Sequence, residues 1–315
     1  MSRSAPGDGR LPTSGYLLLA AMTFLWGTNW PVMKIALDEI PVWTFRSLCL
    51  IGGALGLLAI GRLAGQRLRL PRREVGPLLL CASFSIVGWH VLSAYGVSMT
   101  PAGRAAIIAF TMPLWAGLLA WPILGERPTI SRVVGLALGL GGLGVLVGPD
   151  MGAIAAVPLG AGLMLCAALC WAMGTVLLKR FSWSLSSAPL AGWQLLVGAL
   201  PVTLGTLVFE ADPLPASISL SAVLAVVYII AVPIWFCHWA YFEVVRLFPA
   251  SLAALGTLAI PVVGVASSSV MLGEAVGWRE ITAMLLVCSA LAVALVLPSL
   301  KLRRTEPRAA PPNPS

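Results

Sequence analysis

Charge is scarce in this chain. Of its 315 residues only 10% are Asp, Glu, Lys or Arg, against roughly a quarter in soluble globular domains, while 59% are hydrophobic. Such a surface cannot face water, so a soluble globular protein is excluded and lipid must be the solvent for most of the chain. Carboxylates are missing altogether from ten long uncharged runs, which argues against an Asp- or Glu-based proton or sodium relay at membrane depth. Histidine occurs only twice, at His90 and His238. The six cysteines (Cys49, Cys81, Cys166, Cys170, Cys237 and Cys288) all fall in apolar runs, with spacings that suit neither a disulfide framework nor a zinc site. No metal and no cofactor is expected. Neither HExxH nor GxSxG is present, which counts against a membrane-embedded enzyme. The sparse polar inventory likewise fails to supply the polar ring of a channel.

What is present is hydrophobic length. The uncharged runs of at least fifteen residues are 11–33, 47–61, 75–103, 105–125, 133–149, 151–178, 181–209, 213–242, 247–273 and 281–300. A helix crosses the hydrocarbon core with about 20 residues. The short run 47–61 reaches that length if Arg46 snorkels from the helix end and the span starts near Val42. The expectation is therefore an all-α integral membrane protein with ten transmembrane helices.

With the N-terminus cytoplasmic, inside segments hold 16 of the 20 Lys and Arg residues; the outer ends hold Lys34, Arg46, Arg104 and Arg279. The positive-inside rule then places both termini in the cytoplasm of a cell inner (plasma) membrane. The net charge of +8 is explained by this asymmetry, and no basic stripe interleaved with aromatics points to nucleic acid. The first apolar run lacks a convincing small-residue cleavage site and reads as a retained span. Residues 1–14 form a polar tail, and 299–315 a basic, Pro-rich one.

The two halves repeat each other. Pro101-Ala102 matches Pro249-Ala250 at an offset of 148, as do Pro113 and Pro261, Leu124-Gly125-Glu126 and Leu272-Gly273-Glu274, and the two histidines. Trp26 matches Trp171, and Lys34 matches Lys179, at an offset of 145. Five spans per half is an odd number, so the second half enters the membrane upside down. Inverted repeats are a recurring construction of secondary transporters and imply alternating access.

The residues Phe24-Leu25-Trp26-Gly27-Thr28-Asn29-Trp30-Pro31, the Pro101-Ala102 turn and the two Leu-Gly-Glu endings resemble the drug/metabolite transporter superfamily, specifically its EamA-like group. The resemblance covers about residues 15–298 and implies two inverted five-helix repeats, 15–148 and 157–298, around a central cavity. It also implies export of metabolites or amino acids as the common activity. The second half departs from the pattern at Trp171-Ala172-Met173-Gly174, which lacks the Asn and Pro of the first, so any site there is asymmetric.

Polar side chains at membrane depth are functional candidates. His90 and His238 are the only groups there that titrate near neutral pH, and Ser93 and Tyr241 extend a polar face one turn on. They line the path and bind substrate or sense protons; the alternative is a neutral histidine that only ties a neighbouring helix. Asn29, with Trp26 and Trp30 beside the carbonyl freed by Pro31, forms a second candidate subsite, faced by Trp171. The alternative is a helix bend with Trp rings in the interface belt. Pro113 and Pro261 shape bends. Arg104 either recognises a carboxylate or snorkels to outer headgroups, and Glu243 and Arg246 form a surface pair. Gly52-x-x-x-Gly56 and Gly135-x-x-x-Gly139 permit close helix packing, within the bundle or at a homodimer seam. The partners expected are membrane lipid, a small-molecule substrate and protons. A neutral or zwitterionic solute, an amino acid above all, fits this inventory; a lipophilic drug or cation carrier of the same fold is the alternative.

Overall fold

The computed structural model describes residues 13–126, 129–147, 159–210, 212, 217–237, 240 and 259–296. These residues are helical and contain no strand. The helices are α1 (Thr13–Leu37), α2 (Val42–Leu63), α3 (Arg72–Met99), α4 (Ala102–Leu124), α5 (Ile130–Val147), α6 (Leu159–Arg180), α7 (Ser187–Phe209), α8 (Leu220–Phe236), α9 (Ile260–Leu272) and α10 (Trp278–Leu291). Among them α2, α3, α4, α6 and α7 are long and apolar enough to cross a membrane. Helix α1 has the length, but its hydropathy is diluted by Thr23, Trp26, Thr28, Asn29 and Trp30. Leu55, Leu200, Leu204, Leu207 and Val270 are exposed, an apolar exterior that belongs in lipid rather than water.

Helix boundaries follow from local chemistry. Pro41 is extended, with ψ at 149°, and α2 starts directly after it, since the φ of proline and its missing N–H suit a helix start. Gly125 (φ 74°) and Gly273 (φ 66°) adopt the left-handed conformation that ends α4 and α9, which a residue with a Cβ enters only with backbone strain. Several helix starts are satisfied from across the chain. Glu210, just past α7, accepts the backbone N–H groups of Trp43 and Thr44 at 2.7 and 2.9 Å. Glu274, just past α9, accepts those of Ala102 and Gly103 at 2.6 and 3.0 Å. At a helix start these donors have no intrahelical partner.

Packing runs between the halves. Helix α2 lies along α7, α5 along α10, α4 against α9, α1 against α8 and α9, and α6 against α3 and α4. Small residues make the close approaches: a Cβ on Gly56 would stand 2.0 Å from the Trp235 ring, and one on Gly205 would stand 2.2 Å from the Trp43 ring. Gly52 faces Ile230, Gly135 faces Ala290 and Ala294, and Gly139 faces Leu114. Both Gly-x-x-x-Gly stretches are thus filled inside the bundle.

Four departures from regular α-helix stand out, one of them the π-helical segment Ala292–Val296 that continues α10. Helix α4 breaks at Phe110–Thr111, and Pro113 occupies the first turn after the break, as Pro261 does in α9. Segments Ser83–Gly88 of α3 and Ile230–Phe236 of α8 are π-helical. They begin 147 positions apart, and each ends two residues before a histidine position.

Candidate functional site

Arg46 anchors the site. Because α2 begins at Val42, Arg46 lies in its second turn and points inward, with only 4% exposure. The snorkelling expected from the sequence is therefore corrected: the guanidinium is folded between α1, α2 and α3 rather than held at a headgroup. Its Nε donates to the His90 carbonyl at 2.6 Å. Its Nη2 donates to Ser93 Oγ at 2.9 Å and to Met33 Sδ at 3.0 Å. The cation also lies 5.1 Å from the centroid of the Phe45 ring. Every one of these partners is neutral, and among the described residues no carboxylate pairs with Arg46.

Two of the expected site residues are drawn together by this cation. Ser93 is 1% exposed and both accepts from Arg46 and donates to the His90 carbonyl at 3.3 Å. His90 is half-buried. On α1, Asn29 sits one turn before Met33 and is half-buried, and its Oδ1 is a buried acceptor that no donor reaches among the described residues. Trp26 packs against the buried cluster of Met22, Cys237 and Ala240, whereas Trp30 is 5% exposed and packs in the core beside Gly264. Trp171 lies edge-on to Trp89 with ring centroids 5.1 Å apart, so it meets α3 next to His90. His238, Tyr241, Glu243 and Arg246 lie outside the described residues.

Other polar contacts line the same interior or close its ends. Thr28 Oγ1 and Tyr228 Oη are 2.7 Å apart, and Tyr228 donates to the Leu25 carbonyl at 3.0 Å. Trp43 Nε1 donates to Tyr95 Oη at 2.9 Å. Lys34 reaches the end of α3, donating to the carbonyls of Val97 at 2.9 Å and Thr100 at 3.0 Å. Arg104 does not reach for headgroups: it pairs with Glu280 at 2.6 Å, because the first turn of α10 packs beside the first turn of α4. These two residues, with Pro101 and Glu274, border a cavity of about 270 Å³. At the opposite end of α4, Glu126 pairs with Lys179 beside a cavity of about 190 Å³ that Thr175 also lines. Among the described residues no cluster of His, Cys, Asp or Glu could hold a metal.

The EamA-like transporter family model matches the chain twice, over residues 13–148 and 158–296. The chain belongs to the EamA-like transporter family. Its similarity to curated members extends over most of both lengths. It is 30% identical to the uncharacterized transporter YvbV of Bacillus subtilis (strain 168) over 279 residues, 87% of this chain and 89% of that protein. It is 26% identical over 309 residues to a Salmonella typhimurium protein named a probable amino-acid metabolite efflux pump, covering 92% and 97%. A solved crystal structure, 25% identical, superposes with a TM-score of 0.64 over 90% of this chain and 98% of its own. This EamA-like protein is thus a multi-pass membrane transporter of a small molecule. Sequence reasoning missed Arg46 as a site residue because charge was counted as a marker of helix ends. The signal was nonetheless present, since extending the short second span to Val42 places Arg46 inside the helix.

Proposed function

We propose that this EamA-like protein is a ten-span secondary transporter that exports amino acids or related neutral or zwitterionic metabolites by alternating access. In this reading, residues 15–148 and 157–298 are two five-helix repeats of opposite orientation around a central path, with both termini in the cytoplasm of an inner membrane. The observation that carries it is the reciprocity of the bonding between halves. Glu39, after α1, accepts from the backbone N–H of Ser219 at 2.7 Å, and Glu74 accepts from the backbone N–H of Ser184, after α6, at 3.2 Å. Glu39 and Ser184 are 145 positions apart in sequence, and so are Glu74 and Ser219. Exchanging the halves therefore turns one contact into the other. The helix pairs behave alike: moving each helix five places along turns α1–α8 into α6–α3 and α1–α9 into α6–α4, while α2–α7, α4–α9 and α5–α10 map onto themselves.

Such symmetry supports two pseudo-equivalent arrangements, one open to each side. The π-helical segments before positions 90 and 238 support motion there, since such segments are weakly held and recur at functional sites. The relative named for amino-acid metabolite efflux supports the direction and the solute class. In this proposal Asn29, Trp26, His90, Ser93, Trp171, His238 and Tyr241 face the path, Trp30 backs it, and protons couple through the histidines.

Counterflow in proteoliposomes of the purified protein tests the reading, with labelled amino acids supplied at pH 6 and pH 8. Exchange above protein-free liposomes is expected, with a pH dependence that flattens in the His90→Gln/His238→Gln double variant. Equal counterflow with and without protein across the panel would refute the amino-acid carrier. Unchanged pH dependence in the double variant would refute the role of the histidines.

A further inference from the structure

A buried cation with only neutral partners is an unusual object in a membrane protein. Removing a charge from water is costly unless a counter-charge is supplied, and ionised groups at membrane depth persist where they serve a ligand or a path. Arg46 spends Nε and Nη2 on the His90 carbonyl, Ser93 and Met33. Its remaining terminal nitrogen, Nη1, donates to no acceptor among the described residues. The three neutral contacts fix the plane and direction of the guanidinium but leave its charge unbalanced.

A complementary group lies one helical turn away. Met33 touches Arg46 Nη2 at 3.0 Å, and Asn29 precedes Met33 by four residues on α1, which places both on the same helix face about 6 Å apart along the axis. The Asn29 Oδ1 atom is buried and accepts no hydrogen bond. A buried carbonyl oxygen without a donor is as much in need of a partner as a buried cation. The α1 face thus presents an orphaned acceptor one turn from the residue that touches a cation without a counter-charge among the described residues.

We infer that Arg46 and Asn29 are the two polar ends of a site for an α-amino acid zwitterion, with Arg46 taking the carboxylate and Asn29 Oδ1 accepting from the ammonium group. The inference rests on the transporter reading for its biological setting, and it narrows the substrate class to solutes bearing both charges. The pairing follows from chemistry. A guanidinium binds a carboxylate with charge-assisted hydrogen bonds, and an amide oxygen accepts from a cationic N–H but repels a carboxylate. Trp26 and Trp30, on either side of Asn29 in sequence, and Trp171 beside α3 give the side chain an apolar setting.

The test measures binding by purified full-length protein in nanodiscs, from the quenching of tryptophan fluorescence. Each of several apolar and aromatic L-amino acids is compared with its methyl ester, which lacks the carboxylate, and its N-acetyl derivative, which lacks the ammonium. Wild type is expected to bind the free amino acid at least tenfold more tightly than either derivative. Arg46→Met should erase the preference over the ester, and Asn29→Ala the preference over the N-acetyl compound. Arg46→Lys, which keeps the charge without the planar fork, should retain part of the first preference if Arg46→Met does not fold.

Equal affinity of wild type for acid and ester would overturn the inference without any variant. So would no binding of any free amino acid, or an undiminished preference in a folded Arg46→Met protein. Counterflow of the same compounds separates this inference from the transporter reading. Exchange of esters or amines but not of free amino acids leaves the carrier standing and removes the zwitterion site. Tight, Arg46-dependent binding without exchange does the reverse.

Discussion

Glu274 supplies the sharpest test of how the two halves hold each other. Its carboxylate accepts the N–H groups of Ala102 and Gly103 at 2.6 and 3.0 Å, 172 and 171 residues away in sequence. Both donors belong to the first turn of α4 and have no other acceptor in the helix. Glu274→Ala removes both bonds at once. Losing a helix cap costs about 0.5–2 kcal/mol, and a hydrogen bond to a charged acceptor contributes about 1.5–3 kcal/mol. Glu274 is half-buried, so water recovers part of the loss and the net cost should be about 2 kcal/mol. Glu274→Gln keeps one acceptor oxygen and should cost about half as much. The assay is SDS titration of the purified protein in mixed micelles, with loss of helix followed by circular dichroism. An alanine variant within about 0.5 kcal/mol of wild type would refute the reasoning, and so would a glutamine variant as weak as alanine.

Four further outcomes follow from the same structure. Gly56→Ala would set a Cβ 2.0 Å from the Trp235 ring and should destabilise by about 1–3 kcal/mol through overpacking. Gly141→Ala, which meets nothing within 4 Å, should gain about 0.5–1 kcal/mol in the same titration. Gly125→Ala and Gly273→Ala, where space is open but φ is 74° and 66°, should each lose about 1 kcal/mol and by similar amounts, which differential unfolding will reveal. Glu39, in the connection after α1, has its pKa held below the usual 4.5 by hydrogen bonds from the Ser219 hydroxyl and backbone. A depressed carboxyl pKa stabilises the fold above 4.5 and loses that contribution as pH falls through the folded value. Wild type should therefore lose more stability than Glu39→Gln between pH 7 and pH 3, as read from unfolding midpoints.

Much of the helical layout was legible because hydrophobic runs report helix existence directly. The second helix starts at Val42, where a run too short to cross needed it to start, and the Leu-Gly-Glu endings coincide with left-handed glycines at Gly125 and Gly273. Depth was less legible. Counting charges sends every Arg near a run boundary to the headgroups, and this failed for Arg46 and Arg104 because a long side chain can turn inward or find a carboxylate on another helix. The π-helical segments at Ser83–Gly88 and Ile230–Phe236 were invisible, since an extra residue per turn leaves no mark on composition. The carboxylates that cap distant helix starts were equally hidden: Glu39, Glu74, Glu210 and Glu274 grip backbone N–H groups, which have no side-chain signature to pair with. Of the candidate site, Ser93 and the His90 carbonyl are bound by one guanidinium. The group that binds them, Arg46, emerges only from the packing of α1, α2 and α3.

The bond between Glu210 and the start of α2 bears on how the chain is made. Trp43 and Glu210 are 167 residues apart, and synthesis at about 5–20 residues per second separates their emergence by roughly ten to thirty seconds. Throughout that interval the second helix is in the bilayer with its first N–H groups unclaimed by their final acceptor, and the same holds for α4 until Glu274 emerges. The first half must therefore wait in a provisional arrangement, and only the last-made helices lock the first-made ones. A chain cut between residues 148 and 158 should accordingly yield two fragments that are short-lived when made alone and persist when made together, as complementary parts of a single late-closing assembly.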